Sequence, residues 1–248
     1  CLLVDKMSIC AEQNSNWQRA QTMTADSLLP QEDHAGLEEK DPQFAYTLAR
    51  GLHVLRAFEG PDLWVGNREL AGRTGIPRPT VARLTRTLAM LGYLRYDPLQ
   101  SRYRLAPSTL SLGHPLLAHL TVRQLARPLM QQLADFAHGG VSLGMRDGLN
   151  MVLIESCVDV NAITARPDIG VTRVIAQTAM GRAFLAQLDE PERAALLDEI
   201  RNASPDQWAA HGSEILDEIE RFKATGYCIA RDTPRKGIHA DAAPITRF

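Results

Sequence analysis

The side chains best suited to chemistry in this 248-residue sequence are arginines on one face of a predicted helix. In the segment 75–92, GIPRPTVARLTRTLAMLG, a helical turn of about 100° per residue places Arg83 and Arg86 on one side, around the small residue Ala82. The other side is an apolar stripe that must face a core: Val81, Leu84, Leu88 and Leu91. Guanidinium groups donate paired hydrogen bonds to phosphates and guanine edges, so the outer face predicts a nucleic-acid contact.

Three further residues would complete such a contact. Arg78 and Thr80 lie at the start of the same helix, where a hydroxyl can bond a phosphate, and Arg102 lies beside a predicted turn. With the helix in the major groove, Arg102 is expected to reach the minor groove or its flanking phosphates. The candidate DNA-binding residues are Arg78, Thr80, Arg83, Arg86 and Arg102. The alternative is an ordinary solvated helix face.

A helix-turn-helix would position these arginines. Asn67 is expected to cap a short helix that ends at Gly75, which leaves a tight turn before the second helix, where Pro77 and Pro79 suit the first positions. Residues 93–96 and 102–105 alternate like the strands of a hairpin, which would form a wing, and residues 64–65 would add a short strand. A first helix over 44–58 would bury its apolar stripe against this pair.

The distribution of charge agrees with this interpretation. The whole chain has a formal net charge of −2, which by itself argues against a nucleic-acid partner. Residues 43–105, however, contain ten arginines, no lysine and four acidic residues, a net charge of +6. The flanks are acidic, at −5 for residues 1–42 and −3 for residues 106–248. A basic segment between acidic ones is typical of a module that neutralises phosphates.

The sequence lacks the patterns of several enzyme and metal-site classes. It has no Gly-x-Ser-x-Gly, His-Glu-x-x-His or Walker-type loop, and the spacing of His114 and His119 does not align them on a helix face. We therefore expect no cofactor and no metal. The four cysteines have neither metal nor redox spacing and fit a reducing cytoplasm, and no apolar run is long enough to span a membrane.

Beyond the wing, the sequence predicts a mixed α/β region. A helix over 122–138 would turn five residues inward: Val122, Leu125, Leu129, Leu133 and Phe136. Residues 141–146 and 151–155 predict a hairpin about an Asp147-Gly148 turn, with a third extended run near 160–165. The remaining predicted elements are helices over 180–188, 191–200 and 214–223, the last capped by Ser213, and strands over 227–230 and 238–245. Strands on both sides of helices favour an antiparallel sheet.

The order of several short motifs resembles the IclR family of transcriptional regulators. The DNA-binding domain of that family is similar to the motifs 48–55 (LARGLHVL), 69–71 (ELA), 75–78 (GIPR), 80–81 (TV), 91–94 (LGYL) and 103–105 (YRL). Its effector domain is similar to the motifs 177–186 (QTAMGRAFLA), 226–227 (GY), 237–238 (GI) and 242–245 (AAPI). The resemblance covers roughly residues 43–245, with both domains in the family's order.

The resemblance implies an α+β protein of two domains. These would be an N-terminal winged helix-turn-helix over 43–106, after a mobile acidic tail over 1–42, and a C-terminal GAF-like α/β domain over 122–248, joined by a linker helix over 107–121. It further implies a homodimer or a dimer of dimers that binds double-stranded operator DNA. Family members continue past the position of Phe248, so the effector domain is expected to be truncated at its C-terminus.

The resemblance also implies a pocket for a small organic effector, expected to be an organic acid. The pocket residues implied are Ile163, Ala165, Arg166, Ile169, Ala179, Met180, Gly181, Cys228, Ala230, Ile238 and Ala240. Arg166 would bind a ligand carboxylate or, alternatively, form a surface salt bridge with Asp168 or Asp159. Ala230 and Ala240 stand where some family members have polar residues, which favours a roomier, more apolar pocket. Two alternatives stay open: a C-terminal domain that only oligomerises, and, least favoured, one that is a small-molecule enzyme.

Overall fold

The computed structural model describes residues 7–14, 43–60, 62–161, 168–232 and 238–245. In chain order its elements are β1 (Met7–Asn14), α1 (Tyr46–Arg56), β2 (Val65–Gly66), α2 (Asn67–Thr74), α3 (Arg78–Met90), β3 (Leu94–Asp97), β4 (Arg102–Leu105), α4 (Ser108–His119), α5 (Thr121–Ala137), β5 (Gly140–Asp147), β6 (Asn150–Val158), β7 (Thr172–Val174), α6 (Ala179–Gln187), α7 (Glu190–Ala203), α8 (Pro205–Thr225), β8 (Cys228–Arg231) and β9 (Ile238–Ile245). They form two units, around residues 43–119 and around residues 120–245 with β1. Each unit combines helices with an antiparallel sheet, so the predicted α+β class is confirmed. None of the helices described is long and apolar enough to cross a membrane.

The first unit is a helix-turn-helix with a small sheet. Gly75 ends α2 with a φ of 68°, a left-handed conformation that glycine adopts without steric cost, and only Ile76 and Pro77 separate it from α3. The expected cap, Asn67, is instead the first residue of α2 and accepts a hydrogen bond from Thr85. Gly66, the last residue of β2, takes the cap position with an extended backbone. The sheet has the order β2-β4-β3, so the predicted wing and its short third strand are confirmed.

A small apolar core holds the three helices of this unit together. It consists of Val54, Val65, Leu70, Ile76, Val81 and Leu84. Arg73 fastens α2 to the end of α1, since its guanidinium donates to the carbonyl oxygens of Ala57 (2.9 Å) and Glu59 (2.8 Å). The stripe predicted for the first helix is only partly buried: Leu48 and Leu52 of α1 are exposed.

The second unit is built on a six-stranded sheet of order β7-β6-β5-β1-β9-β8, in which all neighbours are antiparallel. Strand β1 pairs with β5 on one side and with β9 on the other. The prediction that residues 1–42 form a mobile tail therefore does not hold for Met7–Asn14; the rest of that segment lies outside the described residues. A single short strand carries little sequence signal, because its hydrogen bonds come from partners far along the chain.

Helices cover both faces of this sheet. Helix α5 packs on β5 and β6, and α6 packs on β9, β1 and β8. The extended run predicted near 160–165 lies mostly outside the described residues, and the next strand described is β7, at Thr172–Val174. Two other predictions differ from the structure. Ser213 is not a helix cap, because it lies inside α8, which begins at Pro205 and ends at Thr225. Of the five residues of α5 predicted to face inward, only Val122 is buried, together with Ala126, Met130 and Ala134.

Candidate DNA interface and effector site

Helix α3 presents a basic outer surface. Arg78, Arg83 and Arg86 are exposed, and their side chains make no hydrogen bond or ion pair with any described residue. Thr80 lies half-buried in the first turn, while Val81, Leu84 and Thr85 on the other side are buried. Four of the five candidate DNA-binding residues are thus brought together on one helix. Unpaired guanidinium groups on a rigid helix can bind phosphates without first breaking internal contacts.

Other arginines of this unit are already engaged. Arg102 Nη1 donates to the carbonyl oxygen of Trp64 at 2.7 Å. The guanidinium of Arg104 stacks on the Trp64 ring, 4.8 Å from its centroid. The fifth candidate, Arg102, is therefore exposed, but its guanidinium already bonds β4 to Trp64, the residue before β2.

Sequence reasoning missed two exposed arginines, Arg68 of α2 and Arg95 of β3. Neither has a partner among the described residues. Arg95 pairs in register with Arg104, so both lie on the same face of the wing sheet as Arg102. The alternation of residues 94–97 and 102–105 contained this information, because residues two apart in a strand share a face.

The candidate effector residues differ in their surroundings. Five of them lie together in one buried core on the α6 side of the sheet: Ala179, Met180, Cys228, Ala230 and Ala240. Gly181 lies so close to the backbone of Ile175 that a Cβ would collide with it, so this position requires glycine. Ile169 is exposed. Ile163, Ala165 and Arg166 lie outside the described residues, and Ile238 is described only as a position in β9.

Cys228 behaves as a small apolar residue. Burial, and then the nearby carboxylate of Glu218, raise the pKa of its thiol to about 12. Its Sγ donates a weak hydrogen bond to the Glu218 carbonyl oxygen at 3.7 Å. At neutral pH the thiol is therefore protonated and poorly nucleophilic, which agrees with a packing role.

Side chains from two helices hold the edge strand that carries Cys228 and Ala230. Arg182 of α6 donates from Nη1 to the Ile229 carbonyl oxygen at 2.9 Å and pairs through Nη2 with Glu214 at 2.6 Å. Glu218 of α8 accepts from the Ile229 backbone N–H at 2.6 Å. Desolvation raises the pKa of Glu218, but the hydrogen bonds from Arg221 and Ile229 outweigh it and leave that pKa lowered. Both backbone polar groups of Ile229 thus have partners although β8 lies at the sheet edge.

Asp159 already has partners of its own. Its Oδ2 lies 2.9 Å from Nδ1 of His138, and its Oδ1 accepts from the Asn161 backbone N–H at 3.0 Å. The Asn161 bond and then His138 lower the pKa of this carboxyl. Within the described ranges, no three His, Cys, Asp or Glu side chains gather in a way that could hold a metal ion.

Two comparisons with known proteins agree with this geometry. Residues 47–98 match the IclR helix-turn-helix domain, and residues 114–247 match the bacterial transcriptional regulator IclR C-terminal domain. The chain is 32% identical over 197 residues to the HTH-type transcriptional regulator TsaQ1/TsaQ2 of Comamonas testosteroni, which covers 79% of this chain and 70% of that protein.

Solved structures give the same fold. The crystal structure of an IclR family transcriptional regulator from Brucella abortus is 38% identical, with a TM-score of 0.68 over 87% of this chain and 86% of the other. An IclR homolog from Microbacterium hydrocarbonoxydans, solved as a complex with 4-hydroxybenzoate, is 16% identical, with a TM-score of 0.59 over 82% and 90% of the two chains. At this low identity, the Microbacterium structure shows only that the two proteins share a fold.

Proposed function

The chain belongs to the IclR family of bacterial transcriptional regulators, and we propose that it binds operator DNA through α3 under the control of a small organic acid. It is a DNA-binding regulator and not an enzyme, as its relatives are named. The recognition residues in this proposal are Arg83 and Arg86, supported by Arg78 and Thr80. The observation that carries it is the set of exposed arginines on α3, which have no partner in the part of the chain that the structure describes.

A gel-shift titration tests the DNA contact. The operator is first selected from a random duplex library by the wild-type protein. Arg83→Ala or Arg86→Ala should then weaken binding by about 1–3 kcal/mol and change the sequence preference if the arginine reads a base, or reduce the salt dependence if it binds a phosphate. Arg201→Ala, an exposed arginine of α7 in the other unit, is the matched control for loss of one charge. Unchanged affinity and salt dependence in both α3 variants would refute the proposal.

The effector part of the proposal is an organic acid bound in the second unit. Support comes from the apolar residues that α6, β8 and β9 contribute to one region, and from the 4-hydroxybenzoate bound to the Microbacterium homolog. A thermal-shift screen of aromatic acids, oxo-acids and sugar acids tests it, because a ligand that binds only the folded state raises Tm. Arg166 is the proposed carboxylate anchor, so Arg166→Ala should abolish the shift; an unchanged shift rejects that role.

Exposed apolar side chains support self-association as a homodimer or dimer of dimers. In the first unit they are Leu48 and Leu52 on α1 and Leu110, Leu112 and Leu116 on α4. In the second unit they lie on α5, where Leu129 is 67% and Phe136 is 84% exposed. Apolar rows on successive helical turns are costly in water and are usually covered in an assembly. Light scattering of the wild-type protein tests this; a monomer at micromolar concentration would refute it.

A further inference from the structure

Two buried serine hydroxyls lie side by side in the sheet of the second unit. Ser142 of β5 and Ser156 of β6 are directly opposite each other in the antiparallel pair, and their exposed fractions are 2% and 1%. Neither hydroxyl has a hydrogen-bond partner among the described residues. Buried hydroxyls are normally paired, since an unpaired one loses its hydrogen bonds to water and gains nothing in return. Two such hydroxyls at one place need an explanation, and a bound polar group would supply one.

The neighbours of Ser142 on β5 show which face of the sheet it occupies. Residues 142, 144 and 146 share one face. Met180 lies so close to Gly144 that a Cβ there would collide with its Sδ, and the Arg146 guanidinium lies 5.9 Å from the centroid of the Phe184 ring. Both contacts are made by α6, so Ser142 lies on the face that α6 covers.

The neighbours of Ser156 on β6 contact the helix on the opposite face of the sheet, which places Ser156 itself on the α6 face. Glu155 accepts a hydrogen bond from Arg127 at 2.9 Å, and Cys157 Sγ donates to the Arg127 carbonyl oxygen at 3.8 Å. Arg127 belongs to α5, on the opposite side of the sheet. Ser156, between them, must lie on the α6 face beside Ser142. This is the face to which the candidate effector residues Ala179 and Met180 belong.

We propose that Ser142 and Ser156 form the polar end of the effector pocket and bind a neutral oxygen, a hydroxyl or a carbonyl, of a largely apolar organic acid. The inference rests on the proposed effector function of this unit and specifies its ligand. Directly opposite residues of antiparallel strands have Cβ atoms about 4.5–5.5 Å apart, so one ligand oxygen can reach both hydroxyls. Met180 supplies an adaptable apolar wall next to them.

Charge decides in favour of a neutral oxygen at this end. A buried carboxylate needs a cation or several donors to replace its lost hydration. The arginine on this face of β5, Arg146, is already used: its Nε donates to the Gly148 carbonyl oxygen at 2.7 Å, and it pairs with Glu199. Two hydroxyls beside an arginine that is already paired suit a phenol, an alcohol or a ketone, and the acid group of the ligand would bind elsewhere in the pocket.

A matched pair of ligands tests the inference. Benzoate and 4-hydroxybenzoate carry the same acid group and differ only in one hydroxyl. Calorimetric titration should show that the wild-type protein prefers 4-hydroxybenzoate, that Ser142→Ala and Ser156→Ala each weaken its binding roughly threefold to tenfold, and that benzoate binding is unchanged. In the double variant the preference should disappear. Ser213→Ala, a surface change on α8, is the control.

A second measurement needs no ligand. If the hydroxyls are unpaired in the free protein, each Ser→Ala variant should have an unchanged or higher Tm; a Tm lowered by several degrees in both would show structural partners and overturn the inference. If the serine variants still prefer 4-hydroxybenzoate to benzoate, the proposed role of the two serines is wrong, whereas the proposed effector function of this unit is unaffected. If neither benzoate nor 4-hydroxybenzoate binds the wild-type protein, the proposed class of ligand is wrong. The gel-shift test of DNA binding does not depend on that result.

Discussion

Thr85 Oγ1 of α3 donates a 3.0 Å hydrogen bond to Asn67 Oδ1 at the start of α2. Thr85 is fully buried, and its hydroxyl also lies 3.2 Å from the Ala82 carbonyl oxygen. This polar bond joins two helices that otherwise meet through the apolar core, to which α2 contributes Leu70 and α3 contributes Val81. Because a hydrogen bond is directional and apolar packing is not, this pair helps fix the orientation in which α3 presents Arg83 and Arg86.

Replacing Thr85 by valine should weaken both folding and DNA binding. Thr85→Val keeps the shape but leaves Asn67 Oδ1 without its donor, so we expect the free energy of unfolding to fall by about 1 kcal/mol in urea titrations. Operator affinity should fall with an unchanged salt slope, since no phosphate contact is removed. Thr87→Val is the control, because the Thr87 hydroxyl is exposed and bonds only within α3. A changed salt slope in Thr85→Val would contradict the assigned role.

The wing gives a second prediction, which ranks two of its arginines. Arg95 has no partner among the described residues, whereas Arg102 is bonded to the Trp64 carbonyl oxygen. Arg95→Ala should therefore reduce the slope of the logarithm of operator affinity against the logarithm of salt concentration by about one, with little effect on the stability of the fold. Arg102→Ala should have the smaller effect on the salt slope and the larger effect on Tm. Gel shifts at a series of salt concentrations and thermal melts of both variants measure this, and the reverse ranking would contradict it.

Elements with local signals could be predicted from the sequence. Gly75 marks the turn of the helix-turn-helix, and the Asp147-Gly148 pair marks the hairpin of β5 and β6, because both turns need the backbone freedom of glycine. Four candidate DNA-binding residues were predicted onto one helix for a similar reason, since helical spacing is a local property. Strand β1 was not predicted, because its two pairings join residues more than one hundred positions apart.

The effector region shows where such reasoning fails. Ser142 and Ser156 stand out only once β5 and β6 are paired in register, since an isolated serine in a strand has no distinguishing signal. Arg182 is another example, because nothing in its helix predicts a bond to Ile229, 47 residues away. Helix α5 was assigned the wrong buried face because it is apolar on two faces, and the smaller residues Ala126 and Ala134 allow the closer approach to the sheet.

The larger apolar residues of α5 give the third prediction. Leu125, Leu129 and Phe136 are exposed although they were expected to face inward. The double variant Leu129→Ser and Phe136→Ser should leave each subunit folded, because little contact within the subunit is removed, but should reduce the molar mass measured by light scattering.

Ala126→Ser is the control for that experiment. It changes the buried face of the same helix, so it should lower Tm without changing the oligomeric state. An unchanged molar mass in the double variant would show that α5 is not an interface between copies. The apolar residues of α4 would then be tested in the same way, with Leu112→Ser and Leu116→Ser.

The raised pKa of Cys228 gives the last prediction, a loss of stability at alkaline pH. Its thiol ionises near 9.0 in an unfolded chain and at about 12 in the fold. Between these values the unfolded chain binds fewer protons than the folded one, so the thiol's contribution to stability is complete below pH 9 and falls as the pH rises toward 12. The stability advantage of the wild-type protein over Cys228→Ala should therefore shrink in urea titrations between about pH 8 and pH 10.5. Ala230→Gly removes one carbon from the next inward position of β8 and no ionisable group, so its deficit should stay constant over the same range. A deficit of Cys228→Ala that is equally constant would mean that the thiol ionises at its ordinary pH in the folded protein.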